Sequence, residues 1–196
     1  MRTRDNTVYG VGINDFNNNV SVNGHYIKSY YHWKSMLQRC YDKKSHKARP
    51  TYIGCSVCNE WLSFSVFKEW FDKNYVEDYH LDKDILFKGN NIYSPETCCF
   101  VPQRINSLFV KRDASRGKYP IGVYYDNIRK NFKSFVKYCS KTKYIGSFDS
   151  QYEAYLSYKY YKEAYIKKMA VDYYELGLIS KIVYNAMLNY KVNIND

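Results

Sequence analysis

The sequence predicts an α+β fold, in which short strands and amphipathic helices alternate along 196 residues. Three observations lead to this prediction. Residues 80–106 follow the order strand, loop, strand and helix. Before them, apolar residues recur every three or four positions at 31–41 and 60–73, which is typical of amphipathic helices. After residue 119, three short strands precede a long helical pattern at 149–168. This length allows one domain or two small ones.

The stretch from His80 to Asn106 is the most informative part of the chain. Residues 80–87 are expected to form a strand, and residues 88–91 (Lys-Gly-Asn-Asn) carry the glycine and asparagines typical of a turn. Residues 98–101 fit a short buried strand. Pro102 suits the first position of a helix, which would then carry Gln103, Arg104 and Asn106 in its first turns.

This stretch resembles the HNH, or ββα-metal, nuclease motif, most closely that of the phage-type free-standing endonucleases. The resemblance rests on the words Leu-Asp-Lys-Asp-Ile, Gly-Asn, Tyr-Ser-Pro-Glu-Thr-Cys, Phe-Val-Pro and Ile-Asn between residues 81 and 106. It implies that Asp82 binds a divalent metal ion and that Asn106 on the helix is a second ligand. Asp84 is a further candidate ligand. Lys83 stands where this family usually has its general-base histidine.

Phosphodiester hydrolysis fits these residue types. A divalent cation neutralises the phosphate and stabilises the leaving oxygen, and Mg²⁺ prefers the carboxylate and amide oxygens that Asp82 and Asn106 offer; Mn²⁺ is an alternative. Lys83 matches the position of the base, yet a lysine is protonated unless it is desolvated, and it could instead clamp a phosphate. His80 would share a strand face with Asp82 and is the alternative base. Both alternatives stay open at this point.

The six cysteines are expected to be reduced. Cys55 and Cys58 form a single CxxC word, and Cys40 and Cys98 could complete a structural Zn²⁺ site with them. Burial as small apolar side chains is the commoner fate of a cysteine and is the favoured interpretation. Nearer the N-terminus, Asn23-Gly24 predicts a hairpin, and residues 42–51 read as a basic loop that is either solvated or in contact with phosphate.

The last eighty residues have a different character. Strands are expected near 121–125, 131–138 and 143–148, then a helix with Asp149 or Ser150 as N-cap and Glu153 closing a capping box. The words Gly-Val-Tyr at 122–124, Ile-Gly-Ser-Phe at 145–148 and Glu-Ala-Tyr at 153–155 resemble the APETALA-type, or ethylene-response-factor, DNA-binding domain. That resemblance implies a three-stranded sheet packed on one helix, with the sheet in the DNA major groove. A final helix is expected at 172–190, weakened by Gly177.

The charge distribution favours a nucleic-acid partner. The chain carries a formal charge of +11, and residues 111–145 hold ten Lys and Arg against two Asp, which gives +8 of that total. Strand alternation would place Arg129, Asn131, Lys133 and Phe135 on one face, and Lys130, Phe132, Ser134 and Val136 on the other. The candidate DNA-binding residues are Arg104, Lys111, Arg112, Arg116, Arg129, Lys130, Lys133 and Lys137.

These features predict a metal-dependent endonuclease that acts on double-stranded DNA, of the homing type or a related phage nuclease. The alternative is a sequence-specific DNA-binding protein without catalytic activity. No apolar run is long enough for a membrane span and no secretory signal is recognisable, so the cytoplasm of a phage-infected host is expected. The predicted order is an N-terminal β-rich segment (1–30), a ββα-metal nuclease domain (31–110), a basic linker (111–118), an APETALA-like domain (119–170), and a C-terminal helix and tail (171–196).

Overall fold

The computed structural model describes residues 7–110, 117–138 and 141–196, and its mixture of helices and strands confirms the α+β class. Its contacts divide the chain into two compact units, Met1–Gln103 and Arg104–Asp196. This division comes earlier than the linker predicted at 111–118, of which residues 111–116 lie outside the described part. The first unit also includes the N-terminal segment, and the second includes the C-terminal helix and tail.

The first unit is built from helices and very short strands. Its helices are α1 (Lys28–Tyr41), α2 (Lys43–Ala48) and α3 (Phe64–Asn74). Its strands form three two-stranded sheets: β1 (Ser21–Val22) with β2 (His25–Tyr26), β3 (Ser56–Val57) with β5 (Ile92–Tyr93), and β4 (Tyr79–Asp82) with β6 (Cys99–Pro102). Only the β3–β5 pair is parallel. The helix α4 (Gln103–Asn106) begins directly after β6.

Aromatic side chains of α1 and α3 form the core of the first unit. The predicted helical stripes are buried, with Trp33 on α1 and Phe64, Phe67 and Phe71 on α3. The indole Nε1 of Trp33 donates a hydrogen bond to the backbone oxygen of Trp61 at 2.7 Å, so the polar end of this ring is satisfied inside the core. This core supports β4 and β6 through the buried Leu81 and Phe100.

Two predictions for the first unit need correction. The helix expected at 60–73 is interrupted because Ser63 is the N-cap of α3; its Oγ accepts the backbone N–H of Val66, and residues 60–62 form a separate 3-10 turn. The basic stretch 42–51, predicted to be a loop, contains α2, which Asp42 caps by accepting the N–H of Lys44. The hairpin at Asn23-Gly24 is confirmed, with both residues at positive φ.

The second unit contains a three-stranded antiparallel sheet in the order β7–β8–β9, formed by Val123–Asp126, Asn131–Tyr138 and Lys141–Phe148. The helices α5 (Gln151–Glu175) and α6 (Lys181–Asn189) follow. The side chains of Val123, Val136 and Tyr155 are buried together, so α5 packs against one face of this sheet. Ser150 caps α5 as predicted, by accepting the backbone N–H of Glu153.

The boundary between α5 and α6 differs from the helix predicted at 172–190. Gly177 has φ +68° and ends α5 with two backbone hydrogen bonds, from Gly177 to Tyr174 and from Leu178 to Tyr173. This pattern is a Schellman motif, which needs a residue in the left-handed region and therefore favours glycine. The helix before it extends to Glu175, seven residues beyond the predicted end at 168.

Candidate functional site

The end of β4 carries two of the predicted site residues on one face. In the antiparallel β4–β6 pair, His80 lies opposite Val101 and Asp82 lies opposite Cys99. Alternation along a strand therefore gives His80 and Asp82 a common face, as the sequence predicted, while Leu81 and Phe100 point to the core. The order of β4, a loop containing β5, β6 and α4 is the strand–loop–strand–helix order expected for 80–106.

The carboxylate of Asp82 ends this strand and turns the chain. Its Oδ1 accepts the backbone N–H groups of Asp84 and Ile85, each at 2.7 Å, so the strand expected over 80–87 stops at Asp82. Burial raises the pKa of the Asp82 carboxyl, and the two N–H donors offset only part of this rise. A desolvated carboxylate gains most from a nearby cation, so the donor chemistry of Asp82 fits a divalent metal ion.

The side chain of Lys83 is buried, with 6% of its surface exposed. Its Nζ donates to Asp84 Oδ1 at 2.8 Å and to the backbone oxygen of Asn90 at 2.7 Å, while Asn90 Nδ2 donates back to the oxygen of Lys83 at 2.9 Å. Burial alone would lower the lysine pKa, but the Asp84 carboxylate beside it raises the pKa above its ordinary value. The charged Lys83 side chain therefore has a structural role: it connects the end of β4 to the turn at residues 88–91.

This geometry disfavours both predicted roles of Lys83. A general base must offer an unprotonated nitrogen, which a raised pKa disfavours. A phosphate clamp must reach solvent, which the burial of the side chain prevents. The same ion pair weakens Asp84 as a metal ligand, because one of its oxygens already accepts from Lys83. Exposed His80 is the better placed of the two candidate bases.

His32 is a neighbour of this site that the sequence reasoning missed. Its ring packs against Phe71, Tyr75 and Phe100, with ring centroids 5.3–5.7 Å apart. Burial lowers the His32 pKa to about 4, and the positive charge of Arg39 adds to this shift. A histidine within a helical stripe gives no sequence signal of its own, because only tertiary packing places it beside β6.

Asn106, the predicted second ligand, is the last residue of α4 and belongs to the second unit. Its side chain is half-buried, and its backbone oxygen accepts the N–H of Phe109. α4 follows β6 without an intervening residue, so the chain keeps the strand-to-helix step that the resemblance implies.

The four cysteines proposed for zinc do not form a site. Among residues 7–110, 117–138 and 141–196, no three His, Cys, Asp or Glu side chains lie close enough together to hold a metal ion. Burial raises the pKa of Cys40 and of Cys98 to about 12, and it also raises the pKa of Cys55 and Cys58. Three of the four, Cys40, Cys55 and Cys98, are buried in the core of the first unit and Cys58 packs against it, which is the commoner place for a cysteine.

The predicted DNA-binding residues have different surroundings. Arg104 is exposed on α4, Arg129 and Lys130 are exposed in the turn between β7 and β8, and Lys137 is exposed near the end of β8. Lys133 forms an ion pair with Asp126 at 2.6 Å. Lys111, Arg112 and Arg116 lie outside the described residues. The face prediction for β8 is confirmed for Phe132, Ser134 and Val136, which lie on the buried side.

Comparison with known proteins adds no family. No protein-family model matches the sequence, and neither a curated protein nor a solved structure matches it. Within the described part of the chain, no helix is both long enough and apolar enough to cross a membrane.

Proposed function

We propose that this protein is a metal-dependent DNA endonuclease whose first unit cleaves phosphodiester bonds at the end of β4. The observation that carries the proposal is the pairing of β4 with β6, which gives His80 and Asp82 one face of a strand that leads through β6 into α4. The resemblance of residues 81–106 to the phage-type ββα-metal nucleases supports the same assignment.

Each residue has a role that its surroundings allow. Asp82 would hold the cation through its carboxylate, and Asn106 stays the predicted second ligand. When bound, Mg²⁺ or Mn²⁺ supplies charge neutralisation at the scissile phosphate. His80, exposed on the same strand face as Asp82, would accept the proton of the attacking water, the general-base role that histidine most often fills. Lys83 and Asn90 stabilise the turn that follows, while the N–H groups of Asp84 and Ile85 hold the Asp82 carboxylate.

The second unit is proposed to hold the DNA. Its described residues include seven of the ten cations in the basic segment 111–145, and Arg129 and Lys130 are exposed at a sheet turn. Cations at such positions bind phosphates without reading sequence, and they place the protein on its substrate.

The decisive variant is Asp82→Asn. Asparagine keeps an oxygen that can accept the N–H groups of Asp84 and Ile85, so the strand end should survive, whereas the charge that holds the cation is lost. With purified protein, duplex DNA and Mg²⁺ or Mn²⁺, we expect cleavage to fall to the level measured in EDTA while DNA binding is unchanged. Asn106→Ala is expected to weaken cleavage by raising the metal concentration required.

A matched control and two further variants complete this assay. Asp78→Asn changes an exposed carboxylate in the turn before β4, at a positive φ that asparagine tolerates, and should leave cleavage intact. His80→Gln should slow cleavage by about 10²-fold or more if His80 is the base. Lys83→Met should keep cleavage but lower the unfolding free energy by about 1–3 kcal/mol, because the Asn90 oxygen loses its donor. Undiminished cleavage by Asp82→Asn would reject the site.

The second candidate function is DNA binding without cleavage. The buried ammonium ion of Lys83, at the position where the related nucleases carry a histidine, is the observation in its favour. Wild-type protein that binds duplex DNA yet leaves it uncut with both metals would establish this alternative.

A further inference from the structure

Three aromatic rings form a row across the sheet of the second unit. Tyr124 of β7, Phe135 of β8 and Tyr144 of β9 are in contact in that order, with ring centroids 5.5 Å and 5.4 Å apart. Tyr144 lies directly opposite Phe135, and Tyr124 lies opposite Lys133, two residues from Phe135 on the same face. We call this face, which carries the three rings, the outer face.

The outer face is not needed to cover the core. Val123, Phe132 and Val136 occupy the other face of the sheet and pack with residues of α5, so the helix covers that side. Tyr124 is 63% exposed and Tyr144 is 50% exposed. A hydroxyl–hydroxyl hydrogen bond of 2.8 Å between Tyr144 and Ser147 fixes one ring in place. Tyr144 is therefore held in place, and Tyr124 and Tyr144 are open to a ligand.

Exposed cations lie at the two ends of the strands that carry this row. The exposed Arg129 and Lys130 are in the β7–β8 turn, and the exposed Lys141 begins β9. The carboxylate of Asp126, which lies on the sheet beside the row, is neutralised by its ion pair with Lys133. Aromatic rings with cations nearby are complementary to a ligand that has planar rings connected by negatively charged groups.

We propose that the outer face binds single-stranded DNA, with unpaired bases stacked on Tyr124, Phe135 and Tyr144 and with phosphates near the flanking cations. Exposed aromatic side chains on a sheet stack on bases whatever their sequence, but only when those bases are free of a duplex, which hides their faces. The outer face would therefore bind a single DNA strand. It would not lie in the major groove of a duplex, as the sequence resemblance implied. The choice of DNA over RNA rests on the proposed function; the stacking itself does not.

The experiment compares three labelled probes of one sequence and length with the full chain in EDTA, so that cleavage plays no part. We expect fluorescence anisotropy to show tighter binding of single-stranded DNA than of its duplex or of the matching RNA. Tyr124→Leu and Tyr144→Leu should each weaken strand binding about tenfold, since each removes one stacking platform. A 2-aminopurine base placed in the strand should be quenched on binding, and the quenching should shrink in both leucine variants.

Tyr124→Phe is the matched control, because it keeps the ring and should keep both affinity and quenching. Tyr160→Leu removes a tyrosine of α5 that is 72% exposed and should bind like the wild type. Equal binding of strand and duplex, or leucine variants that bind and quench like the wild type, would overturn the proposal. Tighter binding of the RNA probe than of the single-stranded DNA probe would overturn the choice of DNA over RNA as the ligand. Cleavage of duplex DNA with added metal is measured separately, so either proposal can fail alone.

Discussion

His32 is held in its neutral form by the aromatic rings around it. With a folded-state pKa of about 4 against an ordinary value of 6.5, the unfolded chain takes up a proton in a range where the folded protein does not. The stability that this burial contributes is therefore fully present above pH 6.5. It decreases as the pH falls from 6.5 towards 4, and it does not change further below that.

This reasoning gives a pH prediction. We expect the unfolding free energy of the wild type to drop by on the order of 2 kcal/mol between pH 7 and pH 4 through His32 alone. His32→Gln has no titrating group at this position. The difference in unfolding free energy between the wild type and this variant should therefore narrow or change sign between pH 7 and pH 4. Urea unfolding at several pH values measures it. Parallel curves for the two proteins would show that the ring packing does not exclude the charged form.

Single residues also show where sequence reasoning stops. The pairing of His80 with Asp82 on one face followed from strand alternation, which is a local rule. The burial of Lys83 did not follow, because it depends on the Asn90 backbone oxygen seven positions away and on the side chain of Asp84. A charged residue near a strand end carries no local signal that distinguishes a buried anchor from an exposed base.

At the scale of elements, glycines set boundaries for two different reasons. Gly122 precedes β7 at φ +77°, and a Cβ atom there would overlap the ring of Tyr158 on α5. Gly177 ends α5 at φ +68°, and a Cβ there would meet nothing within 4 Å. Gly122 is required both by its positive φ and by the close approach of α5 to the sheet. Gly177 is required by its positive φ alone.

The two alanine variants should differ accordingly. Gly177→Ala is expected to cost about 1 kcal/mol of unfolding free energy, from the backbone conformation. Gly122→Ala adds a collision inside the packed layer of sheet and helix and should cost about 3–5 kcal/mol. Chemical denaturation of both variants compares them directly. Equal losses would show that Tyr158 moves aside at little cost and that packing at this point is loose.

Element types were more predictable than their limits. The aromatic stripe of α3 and the strands of the second unit have clear periodicity, and both are present in the structure. The boundaries depended on single hydrogen bonds: Ser63 to the N–H of Val66 splits one predicted helix, and Asp82 shortens one predicted strand. A capping hydrogen bond of this kind contributes about 1 kcal/mol, which is enough to end a helix or strand that could otherwise continue. The apolar pattern of the sequence alone therefore does not fix these boundaries.

At the scale of the whole molecule, the division of the chain was less predictable than its class. The sequence predicted a basic linker at 111–118, whereas the contacts divide the chain after Gln103. The N-terminal segment reads as a separate β-rich region, yet Val8, Val11 and Phe16 pack against the core of the first unit. Contacts of this kind join positions far apart in sequence, and short patterns do not contain them.

The charge of the whole molecule leads to the last prediction, which concerns salt. If the basic segment contacts DNA phosphates, binding releases counterions, and the logarithm of affinity should fall linearly with the logarithm of salt concentration, with a slope of about −3 or steeper. The double variant Arg129→Gln with Lys130→Gln should make this slope shallower by about 2, because each lost phosphate contact removes about one unit. Lys181→Gln, an exposed change outside segment 111–145, is the control and should leave the slope nearly unchanged.

Anisotropy titrations with duplex DNA at several salt concentrations measure all three proteins. A flat response in the wild type would mean that the +8 charge of this segment serves solubility rather than phosphate binding, and the basic segment would then have no part in placing the nuclease on its substrate.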